Sequence, residues 1–373
     1  MSDLLQSWWL IDDVDNIDSP ALVLYTDRVK KNVQALVNMV EDTSRLRPHA
    51  KTHKCTETTK LLLKAGVTKF KCATIAEAEM LAEAGAPDVL LAYQPVGPKI
   101  KRLLALAQKY PATLFSCLSD NVESLREMEK IFGTVKQALP VYIDLNTGMN
   151  RSGTPDAGLV LRMYEAAANM KWVKMMGLHA YDGHIRDADF AQRTQRCNEA
   201  YAQIEKLKDE LVKKGFPEPV IIAGGSPTFP IHAKRKNMEC SPGTFVYWDK
   251  GYADLCPEQP FIPAAVVLAR VISLPTATRL CIDMGHKSIS AENEISRRVY
   301  FLNAPELEPV SQSEEHLVVE AGANHAYQVG DVLYGLPIHV CPTVALYERA
   351  VTVEGGKKTG EWKTVARDRT IIV

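Results

Sequence analysis

Ala21-Leu22-Val23-Leu24-Tyr25-Thr26-Asp27-Arg28-Val29-Lys30-Lys31-Asn32-Val33-Gln34-Ala35-Leu36-Val37 changes period in mid-course. Residues 21–26 form a short apolar run of the kind that makes a buried strand. Asp27 then reads as a helix cap, and Val29, Val33, Leu36, Val37 and Val40 fall on one helical face. The same two textures alternate to about residue 245. Further apolar runs lie at 46–51, 69–74, 89–93, 113–117, 141–145, 173–181, 220–223 and 238–240. Between them lie amphipathic stretches, among them one ending at Gly85 and one carrying Tyr201, Ile204, Leu207 and Leu211. Continuous apolar strands separated by helices imply a parallel sheet covered by helices. With the first run set aside as an opening strand, eight units remain. The expected fold class is α/β, a (β/α)8 TIM-type barrel over residues 16–255, with an open doubly wound sheet as the alternative.

Beyond Pro263 the texture changes. Runs at 266–274, 279–284, 317–320, 331–336, 350–353 and 362–366 are joined by Gly, Pro and Asn turns without a convincing amphipathic helix. Residues 256–373 therefore read as a mostly β C-terminal domain, with the Trp-bearing residues 1–15 packed on it.

Composition excludes several classes. A formal net charge of -1, with both signs interspersed, argues against a nucleic-acid surface. No apolar run approaches the roughly 20 residues of a membrane span. The opening Met1-Ser2-Asp3-Leu4-Leu5-Gln6 lacks a basic n-region, so no signal peptide is expected. The eight cysteines form no Cys-x-x-Cys pair and read as reduced thiols in a cytoplasmic protein.

In an α/β barrel, functional groups collect at the C-terminal strand ends. Arg47-Pro48-His49-Ala50-Lys51-Thr52-His53-Lys54 ends the first barrel strand with a cluster of amines and imidazoles. Neighbouring positive charge favours the neutral amine that forms Schiff bases, which points to Lys51. Thr147-Gly148-Met149-Asn150-Arg151-Ser152-Gly153 and His179-Ala180-Tyr181-Asp182-Gly183-His184 lie at later strand ends. Gly224-Gly225-Ser226 and Pro242-Gly243-Thr244 suit a phosphate, because glycine lets backbone N–H groups approach the anion. His339-Val340-Cys341 offers an imidazole and a thiolate two residues apart, on one face if the segment is a strand.

The run from Arg47 to Lys54 closely resembles the lysine motif of the D-threonine aldolase and D-serine dehydratase family, which shares its barrel with the alanine racemases. The Thr147–Gly153 segment, Pro242-Gly243-Thr244 and Pro337-Ile338-His339-Val340-Cys341-Pro342-Thr343 extend the resemblance along nearly the whole chain. It implies pyridoxal 5'-phosphate (PLP) carried on Lys51, with Arg151 near its phenolic oxygen and Tyr181 against the ring. Gly225, Ser226, Gly243 and Thr244 would cradle the phosphate. It further implies a divalent metal, zinc or manganese, on His339 and Cys341, with a thiolate favouring zinc. His53 and His179 are candidate catalytic bases beside Lys51, and His184 is a further imidazole near the rim. The racemases keep an arginine just before the Pro-Gly, where this chain has Ser241, which disfavours racemisation. The implied activity is cleavage of D-threonine to glycine and acetaldehyde, in a cytoplasmic homodimer. Dehydration of D-serine or D-3-hydroxyaspartate is the alternative, and a non-catalytic PLP carrier a more distant one.

Overall fold

The computed structural model describes residues 7–373, so the expectation drawn from residues 1–6 lies outside the described residues. The chain divides into two compact units. One comprises residues 36–51, 56–243 and 368–373; the other comprises, of the described residues, 7–35, 52–55 and 244–367. The first apolar run, β1 (Ala21–Tyr25), belongs to the second of these units and not to the barrel.

The barrel unit holds seven parallel strands in sequence order: β2 (Lys69–Cys72), β3 (Asp88–Leu91), β4 (Leu114–Ser119), β5 (Leu139–Leu145), β6 (Val173–Ala180), β7 (Val220–Ala223) and β8 (Glu239–Cys240). The expected strand at 46–51 is absent as a regular element. In its place an irregular segment makes one bridge to each edge of the sheet, Leu46 to Cys240 and His49 to Lys71. Backbone bonds support both joins: Arg47 N donates to Cys240 O at 2.8 Å, and Lys71 N donates to Pro48 O at 2.9 Å. Pro48 has no N–H and cannot take its place in a regular ladder, which accounts for the broken eighth strand.

The helices between strands form where the pattern indicates. Val29, Val33 and Leu36 are buried along the helix Thr26–Asn38. Asp27 lies inside that helix's first turn, not at its cap, and there its charge complements the exposed N–H groups. The helix Phe190–Lys213 buries Tyr201, Ile204, Leu207 and Leu211 and is capped by Asp189, which accepts from Gln192 N. Inside the barrel, Leu90, Leu118, Tyr142 and Ile222 pack together. Gly177 sits where the register between β5 and β6 shifts, and a Cβ there would stand 1.9 Å from Val220 O, so only glycine fits.

The second unit is built on a nine-stranded sheet. Its main path runs β12 (Glu308–Gln312), β13 (Leu317–Glu320), β10 (Arg279–Ile282), β9 (Ala265–Ser273), β1, β15 (Arg349–Glu354) and β16 (Lys357–Lys363). β14 (Val332–Pro337) also pairs with β9 and carries β11 (Val299–Phe301). Val267, Leu280, Ile282, Phe301 and Leu333 form one core. Val23, Tyr25, Leu268 and Leu336 form another, against which Trp8 and Trp9 pack.

The barrel's closure centres on the Arg47 ion pairs, to which Lys69 adds a second bond to Glu239 at 2.5 Å. Arg47 is 1 % exposed and donates to both carboxylate oxygens of Asp88, at 2.7 and 3.0 Å, and to Glu239 at 2.5 Å. Burial alone would favour its neutral form, but the two carboxylates outweigh this and hold the guanidinium charged. Replacing it with methionine removes the cation paired with Asp88 and leaves Glu239 with Lys69. Arg47→Met is expected to destabilise the chain by about 3–5 kcal/mol in urea unfolding, the cost of breaking a buried pair by removing one partner; an unchanged midpoint would contradict it.

Candidate active site

Lys51 ends the bridging segment, four residues after Arg47, and its side chain is exposed. Its own N–H donates to His49 Nδ1 at 3.2 Å, which holds the turn. β5 and β6 supply the next groups. Asp144 and His179 are paired in register on these adjacent strands, so their side chains meet: His179 Nδ1 lies 2.7 Å from Asp144 Oδ1. A carboxylate only accepts, so Nδ1 carries the hydrogen and Nε2 is left as an acceptor. The other Asp144 oxygen accepts from Ser152 Oγ at 2.9 Å.

β6 continues into Tyr181, which Arg151 faces, with its guanidinium carbon 5.0 Å from the ring centroid. Asp144, Arg151, Ser152, His179 and Tyr181 line one small cavity. A cavity of about 600 Å³ lies in the second unit, lined by Glu306 and Tyr327 among others. His184 packs on the backbone of the Arg151 loop, where a Cβ on Gly148 would stand 2.8 Å from its Nε2.

The glycine-bearing turns after β7 and β8 also converge. Gly243 N donates to Ser226 Oγ at 3.3 Å. A Cβ on Gly225 would stand 3.0 Å from Tyr181, so a side chain there would crowd the ring. Ser241 Oγ is buried and, among the described residues, has no hydrogen-bond partner. The chemistry of this set suits a phosphorylated aromatic aldehyde. It offers an exposed amine, an aromatic ring, a guanidinium, and hydroxyl and amide donors around small residues. Thr244 belongs to the second unit, where it is buried with Oγ1 3.7 Å from Cys341 Sγ.

His53 also belongs to the second unit. It is 2 % exposed and its Nδ1 accepts from Cys55 N at 3.2 Å. Burial pushes its imidazole down to about 3, with Lys54 assisting against the Cys55 bond. His339 and Cys341 do come together, but not by strand geometry. β14 ends at Pro337, His339 caps the short helix Val340–Val344, and Cys341 lies in its first turn. The imidazole hydrogen-bonds Cys341, and Nδ1 also contacts Glu292 Oε1 very closely. Burial would depress His339, yet Cys341, Glu292 and Asp249 outweigh it and raise it to about 9. A donor set that draws a proton this strongly also suits a divalent cation, with Glu292 orienting the imidazole. Thr52 Oγ1 lies 3.1 Å from Cys341 Sγ.

Sequence reasoning did not single out Asp144, Lys71, Glu292 or Asp249. The Asp144 signal was available, since it stands at the head of the Thr147–Gly153 motif. Glu292 carried no signal, because a long loop brings it to His339. A further buried cluster, Asp182, Cys197 and His232, has atoms close enough for a metal. Its hydrogen bonds speak against one. Arg235 donates to His232 Nδ1 at 2.7 Å, so Nε2 carries the hydrogen given to Asp182 at 2.8 Å and has no lone pair for a metal.

These environments fix the imidazole charges. His179 is held below its ordinary midpoint by burial and then by Lys71, against the pull of Asp144. Nitrogen NMR is expected to show His179 as the neutral Nδ1–H tautomer at pH 7 and His53 uncharged down to about 3. Protonation of either ring near pH 7 would contradict the geometry.

Comparison with known proteins identifies the family. Residues 24–250 match the alanine racemase N-terminal domain family, and residues 264–353 match a putative serine dehydratase domain. A D-threonine aldolase of Arthrobacter sp is 29 % identical over 366 residues, covering 95 % of this chain and 94 % of its own. A 3-hydroxy-D-aspartate aldolase of Paracoccus denitrificans (strain Pd 1222) is 26 % identical, over 96 % of this chain and 94 % of its own. The crystal structure of D-threonine aldolase from Filomicrobium marinum superposes with a TM-score of 0.87 at 26 % identity, covering 95 % of this chain and 96 % of that one. With more than half its length matched, the chain belongs to the alanine racemase N-terminal domain family.

Proposed function

We propose that this chain is a PLP- and divalent-metal-dependent lyase of D-β-hydroxy amino acids, acting as a D-threonine aldolase. The observation that carries the reading is the gathering, in one unit, of the exposed Lys51 amine with Arg151, Tyr181 and the Gly225–Ser226 and Gly243 turns. The 29 % identical relative named a D-threonine aldolase supports the choice of substrate. Bound PLP supplies an electron sink for the substrate's α-carbon, and a bound divalent ion supplies a Lewis acid for its hydroxyl.

The chain's own residues do the rest. Lys51 holds the cofactor through its amine. Hydroxyl and amide groups of Ser226 and Gly243 receive the phosphate, and Tyr181 and Arg151 fix the ring. Burial and Lys71 keep His179 neutral, while Asp144 takes its Nδ1 hydrogen and leaves Nε2 an acceptor, so that this ring can hold a hydrogen bond without adding charge. His339 and Cys341 would hold the metal, with Glu292 fixing the imidazole. Ser241 offers no permanent charge, which separates this site from one built for racemisation.

A second reading, dehydration of a D-β-hydroxy amino acid, is favoured by the thiol of Cys341 at the metal position. The D-threo-3-hydroxyaspartate dehydratase of Delftia sp. (strain HT23) is a relative at 23 % identity. The residues serve either reaction, and the products distinguish them.

D-Threonine with purified protein, PLP and zinc or manganese is expected to give glycine and acetaldehyde. Pyruvate or oxaloacetate with ammonia, from D-serine or D-3-hydroxyaspartate, would establish dehydration instead. Borohydride treatment of the PLP-loaded protein should leave a reduced adduct on the Lys51 peptide. His339→Ala and Cys341→Ala should each lose bound metal, and with it at least about 100-fold in rate. Full activity after chelation and metal removal would overturn the reading.

A further inference from the structure

Lys71 has no role of its own in the reading above, yet it is buried within the barrel unit. β2 presents it inward with 2 % exposure. Its backbone is tied on both sides to the segment that carries Lys51: its N–H donates to Pro48 O at 2.9 Å, and its C=O accepts from Ala50 N at 2.8 Å. Its Nζ lies 3.4 Å from His179 Nε2 and 5.7 Å from the Tyr181 ring centroid. Because His179 gives its Nδ1 hydrogen to Asp144, the bare Nε2 can only accept, and Lys71 is the donor. Lys71 thus donates to His179 and His179 to Asp144, which also accepts from Ser152.

Burying a lysine costs most in its charged form. The charged groups facing Lys71 come from several elements: Lys51 and Arg47 from the bridging segment, Asp144 from β5 and Asp182 after β6. Burial first, then Lys51, pull its amine down to about 7 against Asp144 and Asp182. An amine divided between its two forms at neutral pH can both give and take a proton. Lys51 is committed to the cofactor, whereas Lys71 is held apart from solvent by its strand and by the His179–Asp144 pair.

We propose that Lys71, anchored by His179 and Asp144, is a second functional amine of this site: the acid–base group that exchanges a proton with the substrate's α-carbon. The inference rests on the lyase reading above. In cleavage, the hydroxyl O–H bond breaks and its electron pair forms the aldehyde C=O. The Cα–Cβ bond breaks, and its pair remains with Cα. The Lys71 ammonium delivers a proton to Cα, forming the new C–H bond of glycine, and becomes neutral. The proton lost by the hydroxyl restores the ammonium, so the cycle needs no other reactant.

The test has two arms. In full-length protein without PLP, carbon NMR of labelled lysines gives the Lys71 midpoint, with its signal assigned by its absence in Lys71→Arg. A midpoint near 7 is expected; an ordinary lysine midpoint near about 10.4 overturns the proposal. In the second arm, PLP-loaded proteins are incubated with glycine in deuterium oxide. Lys71→Met and Lys71→Arg should both slow α-proton exchange at least about 100-fold while the bound cofactor's absorbance persists. Arginine keeps the charge but cannot titrate, so exchange restored in Lys71→Arg would reduce Lys71 to a structural cation and overturn the proposal. If the wild-type protein neither exchanges glycine nor releases aldehyde, the lyase reading fails, and the titration of the cofactor-free protein decides Lys71 by itself.

Discussion

The barrel unit depends on a buried ion cluster. Arg47 sits between Asp88, at the start of β3, and Glu239, in β8, and so joins strands near the two ends of the parallel sheet. The segment that carries it pairs with each edge strand through only a single bridge. A regular strand would close the sheet through a ladder of backbone bonds. Here Pro48 interrupts that ladder, and charge-assisted bonds in a poorly solvated place make up the difference. Such a cluster is costly to desolvate, and its benefit is one of register, because a guanidinium bonded to two carboxylates admits little slip.

Closure also decides the chemistry. Asp144 and His179 meet because their strands are neighbours, but β2 and β6 are separated by three strands in the sheet. Lys71 can reach His179 only across the interior of a sheet that curls back on itself. The two lysines consequently live in different media. Lys51, at the end of the bridging segment, is exposed, whereas Lys71 is buried beside His179 and the Tyr181 ring. Burial and neighbouring charge thereby lower the proton affinity of Lys71.

In the second unit, a helix cap brings the two donors together. His339 has extended backbone, and the chain turns helical at once after it, so Cys341 rises toward the imidazole. Glu292, remote in sequence, then bears on Nδ1 and fixes the ring. This is the carboxylate–imidazole pairing that orients metal-ligating histidines generally.

The sequence by itself determined the alternation of elements, because apolar period and turn residues are local properties. Helix faces such as Tyr201, Ile204, Leu207 and Leu211 were legible for the same reason, and so was the change to short strands after Pro263. Lys51, Arg151 and the Gly225–Ser226 and Gly243 turns were legible as motifs, since each is a contiguous string of residues. Tertiary structure alone decided the rest. β1 joins the second unit's sheet through pairings with β9 and β15, distant strands that no local pattern reveals. The expected first barrel strand became a bridging segment because Pro48 and the Arg47 cluster outweigh its apolar run. Lys71 carries no mark in the chain, where Lys69-Phe70-Lys71-Cys72 reads as an ordinary strand with polar flanks. Its character comes from burial and from charges on distant segments, and those distances exist only once the sheet has closed.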